Sequence, residues 1–289
     1  MVKIKLIVWA VGCAVVALFF GELWGKLWEW LSPAGLQSHG VFHWGVLGLC
    51  ILWLWLKRKD IWPRMQSSHF SLPHVLAGAS LIALSILLPQ SDDFLVFLML
   101  VGWLGLFVIV FNRAWVIPSV LLAIYGFSVV FPIFAMTVIG GPSATVVAAT
   151  VAFITGLFGI PVVSHGMTLQ FTSLDGNVIT TAITPGCVGY ATIGVFIALF
   201  ALMMLDIRLP LKKAWYMFLV GLAGTWLLNH IRLTLTIVAG YFWGLGGLDT
   251  VHYNINYVLF PLWYALFAYI YLRQTGWSVS AVRKDKPLE

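Results

Sequence analysis

Runs of about 20 mostly apolar residues recur along the chain, and each is long enough to cross a bilayer as a helix. In lipid a crossing segment must satisfy its own backbone hydrogen bonds, which an α-helix does. Six runs are plain, at roughly 4–24, 39–56, 72–90, 94–112, 114–139 and 187–206, and two more follow at roughly 213–240 and 252–272. The chain is 61% hydrophobic and only 9% charged, against about 25% charged in a soluble domain. The expectation is an all-α polytopic membrane protein of about eight transmembrane helices, forming a single membrane domain over residues 1–289. "MVKIK" and the apolar run behind it lack a small-residue cleavage signature, so this run is read as a first anchor. The net charge of +6 does not point to nucleic acid, because Lys and Arg cluster in short loops as topology determinants do.

A further apolar stretch, "GPSATVVAATVAFITGLFGI" at 141–160, decides on which side the later segments emerge. If it does not cross, both termini are cytoplasmic, together with "KRKDIWPR", Arg113 and "DIRLPLKK". All but Lys26 and Arg232 of the 16 Lys and Arg then lie inside, as the positive-inside bias demands. If it does cross, Arg208, Lys212, Lys213 and the basic tail move outside. The first arrangement is the better one, which makes 141–160 an outer interfacial or re-entrant helix. Beyond it, Val162–Val163, Thr168–Phe171 and Val178–Ile183 have strand-like composition, and Asp175–Gly176 is a turn signal. A small extracytoplasmic β-hairpin is expected to lead into "ITPGCVGYATIG".

That stretch holds Cys187 in a Pro-Gly turn at the outer mouth of the sixth crossing. Arg232, in "WLLNHIRLTLTIVAG", lies 19 steps beyond Lys213, a climb of about 28 Å. It therefore sits near the outer surface of a hydrocarbon core about 30 Å thick. His252, in "DTVHYNINYVLF", is expected to begin the eighth crossing at the same face. A thiol, a guanidinium and an imidazole from three segments thus share one depth.

The chemistry of these groups is complementary. Helix N-termini and nearby cations favour the nucleophilic thiolate. His252 is a candidate to take the thiol proton and return it to a leaving amine. Arg232 is a candidate to stabilise the thiolate or a tetrahedral oxyanion with its fixed donors. Gly186 and Gly189 leave the backbone open to close approach. Asn229, three residues before Arg232 and on the same helix face, is a candidate to hold the guanidinium. The plainer alternatives are a packing cysteine, an arginine that only snorkels and a solvated histidine. His165 and His230 compete with His252, although His230 points about 200° away from Arg232 around the helix. Cys13 and Cys50 lie in apolar runs and are read as packing residues. Three cysteines without ligand spacing argue against a disulfide framework or a metal site. Many of the 15 Trp lie near the ends of the apolar runs, as in an aromatic belt.

From roughly residue 140 to 272 the chain resembles the exosortase/archaeosortase family of membrane transpeptidases. "TGLFGIPVVSHGMTLQFTSLDG" is similar to the family's helix and outer hairpin, and "TPGCVGY" to its cysteine motif, although Pro-Gly and Val-Gly here replace the usual Ser or Ala neighbours. "NHIRLTLT" is similar to its arginine motif, with Asn229 and Arg232 in place, and "VHYNINYVLF" to its third motif, with His252. The resemblance implies a sorting enzyme of the plasma membrane with its active site on the extracytoplasmic face. Cys187, Arg232 and His252 would be catalytic, with no cofactor and no metal. Its substrates would be secreted proteins ending in a short motif, a transmembrane helix and a basic cluster, and its acceptor a nucleophile such as a lipid amine. Three rivals remain open. A transporter would show Gly/Pro-broken crossings in related halves, whereas Pro118 and Pro132 have no partner half. A scaffold would tolerate loss of Cys187. A hydrolytic protease would share the residues and differ in the acceptor.

Overall fold

The computed structural model describes residues 2–21, 41–59, 61, 63, 71–88, 92–111 and 114–275. Lys26, Arg64, Arg113 and the basic C-terminal tail, on which the charge argument partly rests, lie outside the described residues. The chain forms two compact units, Met1–Ile133 and Phe134–Glu289.

The first unit contains α1 (Val2–Phe19), α2 (Val41–Leu56), α3 (Leu72–Leu87) and α4 (Asp92–Phe111). Helices α3 and α4 meet backbone to backbone at two glycines. A Cβ on Gly78 would lie 2.5 Å from the Gly105 carbonyl oxygen, and one on Gly105 would lie 2.6 Å from that of Gly78. Small residues permit this approach where lipid supplies no hydrophobic drive between helices, and dispersion contacts must hold the pair. Helix α1 packs on α4 through Val16, Phe20, Leu95 and Leu98. Trp9 lies against Trp103, Phe107 and Phe111. Cys50 is buried, with its thiol 4.0 Å from the Leu121 carbonyl, so it packs as expected.

Helix α5 runs Val116–Leu157, 42 residues that include the boundary between the units. This corrects one expectation. Residues 141–157 do not form a helix of their own but continue the one that begins at Val116. At 1.5 Å per residue it follows about 63 Å of helical path, roughly twice a hydrocarbon core. Gly140–Gly141–Pro142 does not interrupt it. A proline inside a helix forfeits one backbone bond, and Gly140 has a packing reason for being small, because a Cβ there would stand 2.8 Å from the Pro185 ring.

The second unit continues with β1 (Val162–His165), β2 (Thr168–Thr172) and β3 (Val178–Ala182), an antiparallel sheet in the order β1-β2-β3. The expected hairpin is thus one strand larger, and all three strand-like segments are used. Phe171 faces Val162 on one side and Ile179 on the other. Leu169, Phe171 and Ile179 point inward along the alternating pattern. Gly166 and Gly176, at φ of 63° and 78°, make the two turns.

A 3₁₀ turn, Pro185–Val188, leads to α6 (Tyr190–Asp206), then α7 (Leu211–Asn254) and α8 (Asn256–Gln274). Phe196, Met217, Phe267 and Tyr271 form the core that joins α6, α7 and α8. Helix α7 bends at Gly244, whose φ of 66° and ψ of −161° are not helical. Past the bend the chain turns back on itself: a Cβ on Gly240 would stand 3.2 Å from Leu248 Cβ, and one on Gly247 2.9 Å from the Ala239 carbonyl. A helix that stops leaves carbonyls without partners, and Leu174 of the β2–β3 turn donates its N–H to Tyr241 O at 2.9 Å. Phe171 packs beside Gly240. The sheet is thereby fixed on the bend of α7.

By length and composition, helical stretches 116–157 and 211–274 suffice to cross a membrane, and shorter apolar helices occupy 7–19, 44–56, 72–87, 95–111 and 190–206. Large apolar side chains such as Leu18, Leu87, Phe153 and Trp243 stand exposed, which suits a lipid surrounding better than water.

Candidate active site

Helix α7 carries a buried stripe of Gly221, Thr225, Asn229, Arg232, Thr236 and Gly240. The spacing of three and four places these residues on one face. Thr225 and Thr236 return their hydroxyls to the carbonyls of Gly221 and Arg232 at 2.8 and 3.0 Å. Asn229 and Arg232 instead reach across to the cysteine turn.

The arginine is only 7% exposed. A buried guanidinium must be hydrogen-bonded to persist, and its fork provides for that. One terminal nitrogen donates to the Cys187 carbonyl at 3.0 Å and the other to Asn256 Oδ1 at 3.2 Å. Its Nε–H is buried and has no hydrogen-bond partner among the described residues. The bond to the Cys187 carbonyl brings the guanidinium onto the same turn that carries the thiol. Asn229 is 1% exposed and donates to the Cys187 and Val188 carbonyls at 3.0 and 2.9 Å. Two side chains one helical turn apart therefore clamp the same carbonyl. Asn229 acts on the cysteine turn itself rather than through the guanidinium.

The turn is also closed from within. Cys187 N–H donates to Thr184 O at 2.8 Å, and the thiol lies 3.4 Å from the Thr184 hydroxyl. Gly189 ends the turn at φ 97°, and a Cβ there would come within 2.7 Å of Asn229 Cγ. Glycine at 189 is thus required twice, by backbone and by space. Gly186 carries no such demand, since its nearest outside atom would be Thr184 Oγ1 at 3.7 Å. Cys187 remains half-buried while Val188 and Gly189 are buried, so the backbone is held and the sulfur is reachable.

His252 lies in the short helical segment between the bend at Gly244 and Asn254, one turn ahead of α8. Its ring stands edge-on to Tyr253 with centroids 5.3 Å apart. It precedes Asn256, the arginine's partner, by one turn. Cys187, Asn229 and Arg232 are in direct contact, whereas His252 is placed near them by chain position. His230 faces elsewhere, its Nδ1 3.0 Å from Trp226 O, and His165 belongs to β1. Thr184 and Asn256 belong to the site and were not singled out. Their signal was present, since each lies within a quoted motif: Thr184 opens "TPGCVGY" and Asn256 sits inside "VHYNINYVLF". Among the described residues no group of three or more His, Cys, Asp or Glu is placed to hold a metal ion.

Residues 24–269 match the family description of the transmembrane exosortases (Exosortase_EpsH). The chain belongs to the transmembrane exosortase family. The match takes in most of the chain, including much of the first half, where the sequence offered only hydrophobicity. No curated protein and no solved structure matches this chain. Exosortases are in general membrane cysteine peptidases or transpeptidases, and the clamped, reachable thiol of Cys187 is compatible with that class.

Proposed function

We propose that this exosortase cleaves a C-terminal sorting signal of secreted proteins through a thioester at Cys187 and passes the acyl group to an acceptor nucleophile such as a lipid amine. The observation that carries the reading is the pair of buried donors, Asn229 and Arg232, holding the Cys187 carbonyl while Cys187 itself stays half-buried. A packing cysteine has no need of such a clamp. In this reading His252 takes the thiol proton and the thiolate attacks the scissile carbonyl. The tetrahedral oxyanion is met by guanidinium N–H, for which Nε–H is an available donor. The C–N bond breaks, and His252 returns its proton to the departing amine. An amine acceptor then attacks the thioester, its extra proton goes to the imidazole, and the sulfur leaves as thiolate. Splitting one hard displacement into two easier ones is the gain of covalent catalysis.

The topology proposed with it has eight crossings in the plasma membrane, both termini cytoplasmic, and Cys187 with the β-sheet on the extracytoplasmic face. The substrate would be tethered by its own transmembrane helix, raising its effective concentration at the site. The test is to incubate the enzyme with a tailed substrate and identify by mass the peptide covalently attached to Cys187. A thioester to the residue preceding the cut supports the proposal. Cleavage that persists in Cys187→Ala removes it.

A further inference from the structure

A second site lies on α7 away from the cysteine. A cavity of about 510 Å³ opens between the end of α5 and α7, walled by Ile154, Phe158, Ile160, Leu227, Leu235 and Val238. Its size falls in the range of about 300–1,000 Å³ usual for small-molecule sites. Three residues with polar side-chain atoms, His230, Thr234 and Tyr241, line this mostly apolar space, the first two one helical turn apart.

His230 and Thr234 each carry one buried polar atom that has no partner among the described residues. His230 is 1% exposed and Thr234 5%. The His230 Nδ1 lies 3.0 Å from the Trp226 carbonyl. A carbonyl only accepts, so Nδ1 carries the proton and Nε2 of the neutral ring presents a lone pair. That Nε2 is buried with no partner among the described residues, and so is the Thr234 hydroxyl. Thr225, Thr236 and Thr250 on the same helix all return their hydroxyls to the carbonyl four residues back. Thr234 does not. Buried polar atoms without partners are rare in folded proteins and call for an explanation.

We propose that this cavity binds a membrane lipid with a neutral hydroxyl head and an apolar tail. One hydroxyl satisfies both atoms, donating to His230 Nε2 and accepting from Thr234 Oγ1–H. A carboxylate has no proton to donate to Nε2, and an ammonium has no lone pair for the threonine. Water alone does not fill the space, because apolar cavities stay dry. Phe158 and Phe242, both largely exposed, also line the cavity. The site is independent of the thioester chemistry and faces away from Arg232.

The test is photolabelling of the full-length protein in phosphatidylcholine nanodiscs with a diazirine-bearing long-chain alcohol and with its methyl ether. The alcohol should label peptides covering 154–160 and 227–242, and the ether, which cannot donate, should label them about tenfold less. His230→Phe and the near-isosteric Thr234→Val should each reduce the alcohol's labelling about five- to tenfold without lowering thermal stability. Equal labelling by alcohol and ether, labelling unchanged in both variants, or labelling elsewhere would overturn the proposal and leave the cavity as ordinary acyl-facing surface. Labelling requires no turnover, so it can be run in Cys187→Ala protein and its outcome is separate from that of the catalytic proposal.

Discussion

Replacing Gly189 with alanine is the sharpest probe of the cysteine turn, with Gly186→Ala, in the same turn, as its control. At 189 the backbone sits at φ 97°, where a residue with a Cβ costs about 1–3 kcal/mol. The new methyl would also stand 2.7 Å from Asn229 Cγ, so the carboxamide must move. Its two hydrogen bonds, to the Cys187 and Val188 carbonyls, are each worth about 1 kcal/mol net. Losing them brings the total to roughly 3–5 kcal/mol. At 186 the added methyl would meet only the Thr184 hydroxyl, at 3.7 Å, and a Gly→Ala change at an unstrained site is neutral or stabilising by about 0.4–1 kcal/mol through the unfolded state. Thermal unfolding in detergent and the alkylation rate of Cys187 by iodoacetamide read both variants. Gly189→Ala should lower the midpoint by several degrees and change the alkylation rate, while Gly186→Ala should leave both near wild type. Equal behaviour of the two variants would refute the reasoning, since it would mean that neither φ nor the Asn229 contact governs the turn.

Other substitutions test the remaining parts. Cys187→Ala should abolish processing of a tailed substrate with its unfolding midpoint unchanged, read by immunoblot and circular dichroism. Arg232→Lys should not restore the function lost in Arg232→Ala, because one ammonium does not reproduce a fork that bridges the Cys187 carbonyl and Asn256; turnover should fall about 10²-fold or more. Asn256→Ala should lower turnover less, by roughly tenfold, since it removes one charged hydrogen bond of about 1.5–2 kcal/mol, and its effect should vanish in an Arg232→Ala background, a coupling read by a double-mutant cycle. An impermeant thiol reagent should reach Cys187 from outside the cell; labelling from the cytoplasmic side alone would reverse the proposed topology.

How much of this was visible beforehand follows from the range of each interaction. The stripe on α7 is local, so Asn229 and Arg232 could be placed on one face from their spacing alone. Cys187 drew notice because a Pro-Gly turn is a poor place for a packing thiol. The roles of Thr184 and Asn256 depend on where a turn and a helix end arrive in space, and no local pattern encodes that. Gly140–Gly141–Pro142 has the composition of a break, yet it stays helical, and the smallness of Gly140 serves the close approach of Pro185. Gly244 sits among other glycines and carries the true bend, for which its positive φ is the cause. Renewed apolarity after His252 marks the last helix, which starts at Asn256, but does not show that helical backbone already runs from the Gly244 bend.

The bond from Leu174 N–H to Tyr241 O joins main chain to main chain. Drift in the side chains of the β2–β3 turn therefore leaves that anchorage alone. Proline at 174 would erase the donor, and a changed turn length would move it out of register. The sheet can accordingly vary its side chains while staying riveted to the helix that carries Asn229 and Arg232.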